Sequence, residues 1–189
     1  SNDGTLLRQF QNKGFEVQGV DPAEEVAQHA LNNGVPTEVG YMTIDFAEKL
    51  VARQGRACAV TATNVFAHAD DLNGMVDAVK TVLAEDGVFV FEASYLIDIV
   101  ENNLVGTIFH EHLSHHAVGP LVCFFQRHGM ELVAVERNGI QGGSIVGYVK
   151  HATHAQPPHS SVFELVTIEK ERGLSDGSLL QAFSKKMEE

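Results

Sequence analysis

Hydrophobic positions recur along the chain with two alternating periods. In residues 5–13 Leu6, Leu7 and Phe10 fall on one helical face. Residues 16–20 read as a short strand running into Asp21-Pro22, and residues 23–32 as a helix that Gly34 ends. Residues 37–39 form a brief strand. Residues 44–54 place Ile44, Phe46, Ala47, Leu50 and Val51 on one side of a helix. Residues 58–61 are an apolar strand, and residues 70–83 a helix with Leu72, Met75, Val76, Val79 and Leu83 inward. Gly87-Val88-Phe89-Val90-Phe91 is nearly continuous in apolar character, as expected of a strand covered on both faces.

This alternation predicts an α/β fold with a doubly wound, mostly parallel sheet and right-handed crossovers. The later part changes character. Pro120 suits the first turn of a helix over residues 120–128, where its missing N–H costs nothing. Strands over residues 131–136 and 144–150 flank a Gly-rich connection and predict a C-terminal antiparallel hairpin. Residues 1–150 then make the main domain, and residues 151–159, with Pro157-Pro158, a linker. Helices over residues 161–172 and 178–186 are too few for a domain alone, so residues 160–189 read as the start of one. Ser1-Asn2-Asp3-Gly4 leads directly into a helix, whereas such a turn normally follows a strand. The expectation is a sheet whose first strand lies outside these residues. Its neighbours would then sit about twice the usual ~4.8 Å spacing apart, or rearrange.

Composition narrows the function classes. The chain has 189 residues, 44% hydrophobic and 20% charged, which excludes a disordered chain. Thirteen Lys and Arg against 25 Asp and Glu give a net charge of −12. That sign argues against nucleic acid or anionic membranes as partners. No apolar run approaches the roughly 18–20 residues of a membrane span. Cys58 and Cys123 lie in apolar segments without a CxxC partner. They read as buried free thiols of a reducing compartment, which points to the cytoplasm.

Four places could carry chemistry. The turn Asn2-Asp3-Gly4 before a helix lets backbone approach a ligand, or simply caps the helix. Asp21, after the second strand of a nucleotide-binding unit, would accept ribose hydroxyls, or start the next helix with Pro22. Asn64, Val65 and His68 leave the strand at residues 58–61, where open α/β sheets bind ligands, or form an ordinary loop. Phe109-His110-Glu111-His112-Leu113-Ser114-His115-His116 holds four of the ten histidines. It reads as a general base with an orienting carboxylate, as a metal site using His110 and His112, or as a polar loop. Proton transfer suits imidazole near neutral pH. No second ligand cluster supports the metal, so none is expected.

These blocks, with Gly19-Val20-Asp21-Pro22-Ala23 and Gln141-Gly142-Gly143-Ser144-Ile145, resemble the S-adenosylmethionine-dependent nucleotide-sugar C-methyltransferases of deoxysugar biosynthesis in order and approximate spacing. The resemblance implies a class I methyltransferase core, Rossmann-like, with S-adenosyl-L-methionine as cofactor. It implies that Gly4 and its neighbours Asn2 and Asp3 line the methionine moiety. Asp21 and Pro22 would lie at the ribose, and Tyr41, Asn64 and Val65 would flank the adenine, with His68 close by. His112 would be the general base, assisted by Glu111. Tyr95, Phe109 and His110 would lie toward the sugar. The family usually has Tyr where Phe109 stands, Arg at Val146 and His at Gln141.

The implied substrate is a small molecule, a nucleotide-linked keto sugar methylated through an enolate. Three alternatives accompany it. One is an O-methyltransferase or another small-molecule methyltransferase. Another is an NAD-dependent oxidoreductase, against which the opening turn shows one Gly where a G-x-G-x-x-G fingerprint has three. The last is an inactive fragment.

Overall fold

A computed structural model describes residues 1–188. The chain divides into two compact units, Ser1–Gly55 and the residues from Arg56 onward. The first contains α1 (Thr5–Gln11), β1 (Gly19–Asp21), α2 (Glu24–Asn32), β2 (Thr37–Val39) and α3 (Ile44–Gln54). β1 and β2 run parallel, Gly19 opposite Thr37 and Asp21 opposite Val39. Among the described residues they pair only with each other. A partner of three residues supports only three residues of strand. β1 therefore occupies Gly19–Asp21 rather than residues 16–20, and Phe15 and Glu16 are exposed. α2 starts with Glu24 and Glu25, whose charge suits a helix N-terminus, and buries Ala27 and Ala30. The Thr43 hydroxyl caps α3 by accepting the Phe46 N–H at 3.3 Å.

The second unit contains β3 (Ala57–Thr63), α4 (Leu72–Val82), β4 (Leu83–Ser94), α5 (Leu96–Glu101), α6 (Val118–Arg127), β5 (Met130–Asn138), β6 (Ser144–His151), α7 (Ser160–Glu171) and α8 (Ser178–Glu188). Its sheet has the order β3-β4-β6-β5. β3 and β4 are parallel, while β4–β6 and β5–β6 are antiparallel. The α/β class and the C-terminal hairpin are as expected, and the antiparallel pairs make the sheet mixed. β4 begins at Leu83, directly after α4, because Leu83 pairs with Ala57 across a register irregularity. Its burial alternates: Phe89, Phe91 and Ala93 are buried, while Val90 and Glu92 are half-buried. Only one face is fully covered, contrary to the apolar run.

The covered face holds the core. Phe66, Phe89, Phe91 and Phe125 are fully buried, and the Phe66 and Phe91 rings stack with centroids 5.0 Å apart. Such aromatic contacts add to plain area burial. α7 lies against α6 and β5, burying Val162 and Leu165. Its Glu169 accepts hydrogen bonds from the N–H groups of Val118 and, at 2.8 Å, Gly119. A carboxylate from one helix thus satisfies the free donors at the start of another, where the dipole favours negative charge. Both cysteines are exposed rather than buried. Cys58 sits on β3, at the edge of its sheet, and Cys123 on the outer side of α6 between buried Leu121 and Phe125. Among the described residues no helix is long and apolar enough to cross a membrane.

Candidate functional site

In the first unit the opening turn folds onto the end of β1. Asn2 (φ 53°) and Gly4 (φ 81°) both adopt left-handed backbone. Gly4 is buried, and a Cβ there would meet the Val35 Cβ at 2.9 Å, so glycine is required twice over. The Ser1 nitrogen donates to the Val20 carbonyl at 2.7 Å and to Asp21 Oδ2 at 3.0 Å. The Asn2 N–H donates to the same oxygen at 2.7 Å, and the Ala23 N–H to Oδ1 at 3.0 Å. Burial is the largest single influence on Asp21 and opposes its ionisation, but the Ala23 and Asn2 N–H groups together with the Ser1 nitrogen outweigh it and hold its pKa below the usual carboxylate value. Oδ2 has both lone pairs engaged, whereas Oδ1 keeps one for an outside hydroxyl.

Asn2 and Asp3 spend their side chains locally. Asn2 Oδ1 accepts the Asp3 N–H, and Asp3 Oδ1 accepts the Thr5 N–H. Pro22 is exposed beside Asp21. The Gly40 N–H donates to the Asp21 carbonyl at 3.0 Å, which brings Tyr41 to the same edge of β1 and β2. The Tyr41 ring is 74% exposed and offers a flat aromatic face. The sequence placed Gly19 in a motif block without giving it a role of its own: a Cβ there would collide with Ser1 Oγ and Thr37 Oγ1. The close approach of turn to strand depends on it.

In the second unit Asn64 (φ 54°) ends β3, with its N–H on the Glu92 carbonyl at 2.8 Å. Left-handed backbone in a non-glycine residue at a strand end often marks a site under functional constraint. Val65 is exposed, and His68 closes a one-turn 3-10 helix, Phe66–His68. His68 Nδ1 contacts the Glu111 carbonyl at 3.0 Å, and the Leu113 N–H donates to the Ala67 carbonyl at 2.7 Å. That short helix therefore grips the histidine segment.

The four histidines of the segment have four environments. His110 stands in solvent, 3.8 Å from the Glu111 carboxylate. His112 is half-buried, its Nδ1 2.7 Å from the Thr107 carbonyl, its ring 4.2 Å from Phe109 and 4.9 Å from His68. A carbonyl can only accept, so Nδ1 carries a proton, and in the neutral ring Nε2 then holds the free lone pair. Burial and the neighbouring His112 lower the pKa of His115. His116 is buried, contacts Ser114 Oγ at 3.2 Å, and has its pKa pushed down to about 4, chiefly by burial. Only His112 among them is both accessible and fixed in tautomer. The group that fixes it is the Thr107 carbonyl, while Glu111 directs its side chain to His110.

Phe109 is 41% exposed and covers one side of the His112 ring. Tyr95, expected toward a sugar, is fully buried, its ring 5.3 Å from the Arg137 guanidinium. Its hydroxyl has no hydrogen-bond partner among the described residues, and burial together with the Glu169 charge raises its pKa. Arg137 also pairs with buried Asp98, 3.1 Å from Nε to Oδ2. A Cβ on Gly143 would collide with Asp98, so this pair sets the Gly142-Gly143 connection expected from the sequence. Among the described residues no three of His, Cys, Asp and Glu converge in a way that could hold a metal ion.

A family model described as a methyltransferase domain matches residues 1–145. The chain is 34% identical over 184 residues to the C-methyltransferase NovU of Streptomyces niveus, covering 97% of this chain and 44% of that protein. It thus spans less than half the length of that relative. A SAM-dependent methyltransferase of Anabaena variabilis superposes with a TM-score of 0.62 at 14% identity, over 79% of this chain and 74% of that one. The magnesium protoporphyrin IX methyltransferase of Synechocystis, solved with bound SAH, gives 0.61 at 12% identity, over 78% and 69%. The fold is that of the class I methyltransferases, and the chain belongs to the methyltransferase domain family.

Proposed function

We propose that the chain is the catalytic part of an S-adenosylmethionine-dependent C-methyltransferase acting on a nucleotide-linked keto sugar. The resemblance of its motif blocks and its 34% identity to a C-methyltransferase support this reading. The donor fits the first unit: Asp21 Oδ1 has a lone pair for a ribose hydroxyl, Tyr41 an open face for adenine, and Gly4 a backbone without a side chain for the methionine end. Asn2, Asp3 and Pro22 shape that edge, and in the second unit Asn64, Val65 and His68 are the positions that the resemblance assigns to the cofactor. When bound, S-adenosylmethionine supplies a sulfonium methyl open to in-line attack by carbon.

The tautomer of His112 carries the reading. Its Nε2 takes the proton from the carbon beside the sugar carbonyl, and the C–H electrons pass into an enolate. The imidazole becomes imidazolium, and the Thr107 carbonyl still accepts from Nδ1. Phe109 keeps water from one face of the ring. Glu111 and His110 offer exposed polar groups to the acceptor, whereas Tyr95, fully buried, does not touch it. General-base catalysis contributes roughly 10²–10⁴-fold. His112→Ala should lower kcat by about that factor while the affinity for S-adenosylhomocysteine, measured by calorimetry, stays within about twofold. Turnover equal to wild type removes His112 from the mechanism.

A further inference from the structure

We propose that Thr107 is a positioning residue for the general base: its side chain locks the turn whose carbonyl selects the His112 tautomer. This inference rests on the reading of His112 as the base. Val105–Thr107 is a single 3-10 turn with exposed Val105 on one side and exposed Ile108 on the other, so no apolar burial holds it in place. Its geometry comes from hydrogen bonds at Thr107. The Thr107 N–H donates to the Leu104 carbonyl at 3.0 Å, and Thr107 Oγ1 donates to that same carbonyl at 2.7 Å. The Ile108 N–H closes onto Val105 at 2.9 Å. With both ends of the turn tied, the Thr107 carbonyl is aimed at His112 Nδ1 at 2.7 Å.

The anchor point is itself secured. The Leu104 N–H donates to the Ile99 carbonyl of α5 at 2.9 Å. Asn102 Nδ2 donates to the Gly142 carbonyl at 2.9 Å. Thr107 therefore connects a fixed helix end to a catalytic imidazole through a continuous chain of hydrogen bonds. A neutral imidazole exchanges its proton between two nitrogens, and only the Nδ1–H form leaves Nε2 able to take a proton. A fixed acceptor at Nδ1 biases that choice before substrate arrives. Partners of this kind, one bond removed from the reacting group, orient a histidine ring and set its tautomer.

The test uses Thr107→Val, which keeps the β-branched shape and removes the hydroxyl, with Thr107→Ser as the conservative variant. ¹⁵N-histidine NMR of the free chain reads the tautomer without any substrate. Wild type and Thr107→Ser should show His112 protonated at Nδ1, and Thr107→Val a mixture with Nε2–H. With a nucleotide-linked 4-keto sugar, kcat in Thr107→Val should fall roughly three- to tenfold, the size expected for one neutral hydrogen bond. KM for S-adenosylmethionine should stay unchanged, and Thr107→Ser should recover most of the loss. An Nε2–H His112 in wild type, or a Thr107→Val protein with wild-type tautomer and kcat, overturns the inference. Full turnover in His112→Ala instead overturns the reading beneath it, so the two failures are distinct.

Discussion

The turn that leads into α1 and the segment that carries the histidines reach precision by different routes. The turn at residues 1–4 is built from backbone: two left-handed residues, two close-packed glycines, and N–H groups collected by one carboxylate, Asp21. The segment around His112 is built from side chains that backbone carbonyls hold in place, Thr107 for His112 and Glu111 for His68. The first arrangement suits binding, since it presents fixed lone pairs and open backbone. The second suits proton transfer, since it fixes which nitrogen is free. Substitutions should therefore separate the two roles.

The largest separation is expected at His112. Loss of that imidazole should reduce kcat by roughly 10²–10⁴-fold with little effect on cofactor affinity. A proportional rise in Kd for S-adenosylhomocysteine would merge the two regions into one and break the comparison. Next comes the pH response of the histidine segment. Buried His116 binds a proton only near pH 4, whereas an unfolded histidine does so near 6.5. The unfolded state therefore takes up more protons between these values. The stability from neutral His116 is complete above about pH 6.5 and is lost as pH falls toward 4, by on the order of 3 kcal/mol. Urea unfolding at pH 7 and pH 5 should show a steeper loss in wild type than in His116→Gln. Parallel slopes would contradict this. The smaller effect is at Asp21. Asp21→Asn keeps the shape but weakens its acceptor strength, and should raise Kd for S-adenosylhomocysteine about tenfold, with kcat at saturation little changed. A kcat loss matching that of His112→Ala would mean that Asp21 does more than bind.

The same contrast explains what the sequence disclosed. α3 and β2 appear with the expected bounds because their apolar spacing and caps are local signals. The place of Asp21 at the end of a strand was legible because an apolar run followed by Asp-Pro is a short local pattern. The histidines were visible as a cluster, but their sorting was not. The burial of His116 depends on its contact with Phe66 of the aromatic core, which no local pattern reveals. Thr107 escaped notice because a carbonyl acts there, and every residue has one. α5 is six residues long, too short for helical periodicity to register. The exposure of Cys58 and Cys123 followed from an edge strand and an outer helix face, both set by topology rather than by the apolar residues around them.

Proton abstraction can be observed apart from methyl transfer. A nucleotide-linked 4-keto sugar incubated in D₂O with the protein and S-adenosylhomocysteine should take up deuterium at the carbon beside its carbonyl. With His112→Ala that uptake should fall to the uncatalysed rate. Undiminished uptake in the variant would contradict the assignment of His112 as the base.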